Sequence, residues 1–170
     1  MYGSHTHTGT SSGGAYVRTI DTPALATATV PRISSVALAA DNSTVAVTFN
    51  EAVYNTNGGS GALQASGFAL SISGGTATLS SATPTSISAS GNTYTLGIGI
   101  SGSATGNELL KVTVNANSVY DAQGNAASTT QETSSAELNK VYLNDVAAPV
   151  ISSTTIAPFN EGVLVTFSET

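Results

Sequence analysis

The sequence predicts an all-β chain built on an antiparallel β-sandwich, and three observations carry that prediction. Apolar and polar residues alternate over short stretches, the period of a strand with one face buried. Gly, Asn and Asp punctuate those stretches at close intervals. No stretch carries a helical period, and 24 Ser, 25 Thr and 17 Gly among 170 residues accompany only 8% charged residues. Short strands at regular spacing indicate a sandwich.

Residues 1–30 stand apart from this pattern. The chain opens MYGSHTHTGT and continues Ser11-Ser12-Gly13-Gly14, with nothing apolar to bury. A secretion signal needs a basic stretch followed by an apolar core, and neither is present here. Val17, Ile20, Leu25 and Val30 come next without a clean period, and Pro23 and Pro31 interrupt the segment. Residues 1–30 are therefore expected to form an extended arm that docks on a larger assembly. With Met1 as the native start, a surface protein of this kind needs another way out of the cell. Assembly into a phage particle and release by lysis supplies one.

Alternation begins after Pro31. Val45, Val47 and Phe49 alternate with Thr44, Ala46 and Thr48, and Phe68, Leu70 and Ile72 with Ala69 and Ser71. Tyr94, Leu96, Ile98 and Ile100 alternate with Thr95, Gly97 and Gly99, and Leu110, Val112 and Val114 with Lys111 and Thr113. Turns fall at Asp41-Asn42, Gly74-Gly75, Ser90-Gly91-Asn92 and Gly124-Asn125. The predicted strands are 33–38, 44–49, 68–73, 76–80, 85–89, 93–100, 109–115 and 134–139, within one domain over residues 31–144.

An internal repeat closes the chain. Residues 31–52 read PRISSVALAADNSTVAVTFNEA and residues 149–170 read PVISSTTIAPFNEGVLVTFSET, identical at 11 of 22 positions at an offset of 118. Pro31 matches Pro149, Ile33 matches Ile151, Val47 matches Val165, Phe49 matches Phe167 and Glu51 matches Glu169. Repetition at domain length indicates tandem modules. Residues 145–170 are thus expected to be a linker, with DVAA at 145–148 as the joint, and the first two strands of a second module. Two strands cannot bury a core alone, and their unpaired edges are adhesive. The expectation is that the natural chain continues; the alternative is a neighbouring subunit completing the sheet by strand addition.

The segments VTFNEAV (Val47 to Val53), FALSISGG (Phe68 to Gly75), YTLGI (Tyr94 to Ile98) and SVYDAQGNAA (Ser118 to Ala127) resemble bacterial Ig-like repeats. Such repeats occur in large surface and adhesion proteins, and related modules decorate phage particles. The resemblance spans about residues 31–144 and restarts at 149. It implies an Ig-like sandwich in a spacer, adhesin or virion-decoration role, by analogy of fold.

Charge narrows the function classes. Four basic against ten acidic residues give a net charge of -6, the opposite of the basic surface that nucleic acid or an anionic membrane attracts. No apolar run approaches the roughly 20 residues of a membrane helix, so no membrane insertion is expected. The chain has no Cys, which removes disulfides and thiol chemistry.

Five chemistries come into question for these residues. His5 and His7 face one side of an extended chain, and three such pairs in a trimer make an octahedral nitrogen field suited to divalent iron, the expected metal, or nickel. The motif is similar to metal-binding segments of trimeric phage fibres, although it occurs once here; a polar tail is the plainer reading. Calcium takes six to eight oxygens and often stiffens joints between extracellular modules. Its candidate ligands are Asp121, Asn144, Asp145 and Glu51, against an Asx-type turn as the plainer role of Asp121. Catalysis finds little footing, because both His lie in the arm and no pattern singles out Glu51, Glu108 or Asp121 as a carboxylate pair. A Lys–Asn crosslink needs a buried lysine beside an acid, whereas Lys111 alternates outward and Lys140 lies near the joint. Sugar binding would use Tyr54 in the long 50–67 loop, against a spacer loop or a short helix around Ala62–Ser66.

The expectation is a non-enzymatic structural or adhesion module of a phage virion, a fibre or a head or tail decoration, anchored by its arm and displayed outside the cell on the virion surface. The alternative is a segment of a bacterial cell-surface adhesin or surface-layer protein, and a carbohydrate-binding accessory domain ranks below it. Expected partners are other virion or surface-assembly proteins, further copies in a homo-oligomer such as a trimer, and a host-surface glycan or protein.

Overall fold

The structure is a computed structural model that describes residues 6–11, 14–19, 29–131 and 138–168. The described part is all β apart from two three-residue 3-10 turns, Ala65–Gly67 and Pro158–Asn160. In chain order the strands are β1 (Thr6–Ser11), β2 (Gly14–Thr19), β3 (Ile33–Leu38), β4 (Thr44–Phe49), β5 (Phe68–Ser73), β6 (Thr78–Leu79) and β7 (Ile87–Ser90). They continue as β8 (Thr93–Gly97), β9 (Ile100–Ser101), β10 (Leu109–Val114), β11 (Lys140–Tyr142), β12 (Ile151–Ile156) and β13 (Val163–Phe167).

Two antiparallel sheets form the body. One has the order β3-β4-β8-β7 and the other the order β11-β10-β5. The period-two pattern explains their facing surfaces. On β4 the apolar residues Val45, Val47 and Phe49 are buried, while Thr44, Ala46 and Thr48 are partly exposed. On β10 Leu110, Val112 and Val114 turn inward in the same way. These residues join Ile33, Phe68, Leu70, Tyr94 and Leu96 in one continuous core. Three rings from the two sheets meet at its centre: Phe49 stands edge-on to Tyr94 at 5.8 Å, and Phe68 lies 6.2 Å from Phe49 and 6.4 Å from Tyr94. A small ladder of β6 with β9 lies beside the main sheets.

Six of the eight predicted strands reappear where alternation put them, and two differ. The 93–100 stretch breaks at Gly97, where the chain leaves the β8 ladder and resumes as β9. A Cβ at Gly97 or Gly99 would run into Thr85, Ser86 or Ser80, so the segment 80–86 lies directly against this backbone. The last strand is Lys140–Tyr142, with Leu138 and Asn139 in a turn before it; residues 132–137 of the predicted 134–139 lie outside the described residues. The expected arm is extended locally but doubles back. β1 and β2 form an antiparallel hairpin, from Thr6 opposite Thr19 to Ser11 opposite Gly14, and among the described residues it shares a ladder with no other strand.

The repeat at the C-terminal end folds as its first copy does. β3 pairs β4 with Ile33 opposite Phe49, a bulge before Ser35, then Ser35 opposite Thr48 and Leu38 opposite Val45. β12 pairs β13 with Ile151 opposite Phe167, a bulge before Ser153, then Ser153 opposite Thr166 and Ile156 opposite Val163. Every partner is displaced by 118 residues, bulge included.

Candidate functional site

The structure offers three places where polar groups concentrate or apolar groups remain uncovered. The first is a carboxylate cage at the start of β10. Glu108 is fully buried. Its Oε1 accepts from the backbone N–H of Thr76 (2.7 Å) and Ala77 (3.1 Å), and its Oε2 from that of Thr105 (2.9 Å). Gly75, at φ +56°, makes room for it, because a Cβ there would collide with the Glu108 carboxylate. Burial pushes the Glu108 carboxyl up, but the N–H donors of Ala77, Thr76 and Thr105 outweigh it and hold the group at about 2. The carboxylate therefore stays ionised at neutral pH and fastens two loops to the sheet. Sequence reasoning met Glu108 as one of three acids, with Glu51 and Asp121, that no pattern singled out; its position after the Gly106-Asn107 turn, one residue before a strand, was the signal that could have done so.

The second is the tip formed by the 50–67 loop and the turn after β10. Tyr54 and Tyr120 exchange backbone hydrogen bonds at 2.8 Å each way. Asp121 is buried, and its Oδ1 accepts from the N–H of Gln123 (2.9 Å) and of Asn125 (2.7 Å) while its Oδ2 accepts from Asn125 Nδ2 (2.6 Å). Burial raises the Asp121 carboxyl, and these donors overcome that and lower it. Asp121 is thus a turn residue that caps its own backbone. Tyr54 is half-buried, and the short helical turn of the 50–67 loop is Ala65–Gly67. Glu51, also half-buried, accepts from Asn50 Nδ2 at 3.2 Å.

The third is the joint together with the hairpin beyond it. Asn42 is buried at φ +59° in the β3–β4 turn, and its side chain clasps Asn144: Asn42 Nδ2 donates to the Asn144 carbonyl (2.8 Å), and the Asn144 N–H donates to Asn42 Oδ1 (2.9 Å). Asn144 Nδ2 donates in turn to the Ala39 carbonyl (3.0 Å). The N–H groups of Val146 and Ala147 both donate to the Ala104 carbonyl, and Asp145 Oδ1 accepts from the Ala147 N–H (2.9 Å). An open groove runs beside the joint, lined by Thr76, Thr105, Asn107, Asp145, Val150 and Ser168 among others. Past it, the hairpin of β12 and β13 leaves its apolar side chains in solvent: Ile151 is 58% exposed, Val163 65%, Val165 39% and Phe167 53%, where Ile33, Val45, Val47 and Phe49 are at most 2% exposed.

The calcium candidates read from the sequence fall on separate elements of the chain. Among the described residues no three His, Asp or Glu side chains gather as a metal-holding group. His5 lies outside the described residues, and His7 sits on β1 opposite Arg18. Asn144 and Asp145 are consecutive at the joint, whereas Asp121 and Glu51 belong to the tip loops. Lys111 is half-buried on β10, opposite Ser71 on one side and Lys140 on the other. No protein-family model, curated protein or solved structure matches this chain.

Proposed function

We propose that this chain is a non-enzymatic structural component built from repeated β-sandwich units, displayed on a phage virion as a fibre or a head or tail decoration and attached through its N-terminal segment. The observation that carries the reading is the recurrence of one hairpin ladder at an offset of 118 residues, bulge included. A unit that recurs with its local bonds intact is what an extended shaft requires. The strand order supports an Ig-like unit. Lettered in chain order with the β6–β9 ladder set aside, the strands run A-B-E-D in one sheet and C-F-G in the other, the arrangement of constant-type immunoglobulin sandwiches. The Ser- and Thr-rich, weakly charged composition suits a solvent-facing shaft. The buried carboxylates support the same reading, since each is engaged in holding loops.

The test is immunogold microscopy with antibodies raised against residues 31–144. Label on virions released from the host is the expected result. Label confined to the envelope of uninfected cells moves the protein to the bacterial-surface alternative and overturns the virion reading.

A further inference from the structure

The uncovered face of the second hairpin has a complement that this molecule itself displays. The first hairpin turns Ile33, Val45, Val47 and Phe49 inward, and the second carries the same residue types at Ile151, Val163, Val165 and Phe167. The likeness extends to single bonds. Ser34 Oγ donates to the Thr48 carbonyl (3.0 Å) and Ser152 Oγ to the Thr166 carbonyl (3.1 Å). The Arg32 N–H donates to Asn50 Oδ1 (2.7 Å) and the Val150 N–H to Ser168 Oγ (3.0 Å). Asn42 and Asn160 hold the two turns at φ +59° and +61°.

The cover of the first hairpin is therefore a template for the cover of the second. β4 has β3 on one edge and β8 on the other, with Val45 opposite Leu96 and Val47 opposite Tyr94, while Phe68 backs Phe49 from the facing sheet. β13 has β12 on one edge, and among the described residues its other edge carries no ladder. Stoichiometry decides the source. The chain contains two hairpins of this type and one body, β5 to β11, to cover them. Copies that exchanged hairpins would leave as many uncovered as before, so further copies of these 170 residues gain nothing by it.

We infer that β12–β13 is the acceptor hairpin of a second sandwich, and that its occupant is a polypeptide other than these 170 residues with the chemistry of residues 53–143. That occupant adds an antiparallel strand alternating like Thr93-Tyr94-Thr95-Leu96 along the free edge of β13 and backs it with a second apolar sheet. The inference rests on the repeated-unit reading and names the partner of its open end.

The test joins a second copy of residues 53–144 directly after Thr170, so that the extension stands to the second hairpin as residues 53–144 stand to the first. Amide hydrogen exchange is measured on the 170-residue chain and on the extended chain. In the extended chain the amides of β12 and β13 slow by about 100-fold or more, towards those of β3 and β4. Val165→Asp in the extended chain abolishes that slowing and leaves β3 and β4 protected. Equal exchange of β12 and β13 in the two chains overturns the inference. Protection in the 170-residue chain that rises with concentration, with a dimer mass by light scattering, assigns the face to a second copy and overturns it too. Virion label without protection rejects the acceptor alone; protection without label rejects the virion placement alone.

Discussion

The hairpins at 32–50 and 150–168 share one ladder pattern and differ in burial, and that difference separates two layers of folding information. Both have the bulge, the left-handed Asn in the turn, and the side-chain bonds from Ser to a cross-strand carbonyl. Only the first is buried. Local geometry is thus written in the 22 repeated residues, while packing comes from the chain that lies against them. Positions outside the core differ between the copies at Ala37 and Ala46, which correspond to Thr155 and Leu164. The inward four do not vary, so the second copy keeps an apolar face that it leaves bare.

Matched substitutions sharpen the contrast. The largest effect belongs to a charge placed inward. Val47→Asp buries a carboxylate in the apolar core and costs on the order of the whole folding free energy, about 5 kcal/mol or more; Val165→Asp leaves the melting temperature of the sandwich unchanged. Equal losses would show that the second hairpin is packed after all. Next comes the aromatic centre. Phe49→Ala should cost about 3–5 kcal/mol in denaturant unfolding, and Phe167→Ala less than about 0.5 kcal/mol.

Among the described residues the Glu108 cage has no counterpart around the second hairpin, and pH probes it. Its carboxyl sits at about 2 when folded against 4.5 ordinarily, so the unfolded chain binds the proton more readily. The stability it contributes is complete above pH 4.5 and drains away as the pH falls towards 2. Thermal melts from pH 7 to 2 should show this fall for the native chain and a flatter profile for Glu108→Gln, which is also about 1–3 kcal/mol less stable at pH 7 through N–H groups left poorly paired. The smallest contrast is in the turns. Asn42→Gly keeps the positive φ but loses the clasp on Asn144, about 1–2 kcal/mol; Asn160→Gly, with φ alone to satisfy, is near neutral.

Much of this architecture was legible in the residues. Alternation around Val45-Val47-Phe49 and Leu110-Val112-Val114 reports a buried face directly, so β4 and β10 were placed to the residue or nearly so. The repeat placed the second hairpin. The break at Gly97 was not legible, because it depends on the 80–86 segment pressing on that backbone from a distance in sequence. The strand Lys140–Tyr142 was not legible for a similar reason: it is too short to alternate convincingly, and its position is set by Leu110 opposite Val141. The hairpin of β1 and β2 lacks apolar alternation, since Val17 has only Ala15 as an apolar residue two positions away. Among the site residues, Asp121 followed from local turn chemistry, whereas Glu108 takes two of its three backbone donors from Thr76 and Ala77, and Asn42 finds Asn144, across 31 to 102 residues of chain.

The clasp has a mechanical consequence. The polypeptide enters the sandwich at Ile33, opposite Phe49, and leaves it at Asn144, which is tied to the turn at the far end of the same hairpin. Entrance and exit are thus separated by the length of a six-residue strand, roughly 17–20 Å. Tension applied between Ile33 and Asn144 runs along the β3 backbone and falls on the Asn42–Asn144 hydrogen bonds, which makes the clasp the element such a pull loads first.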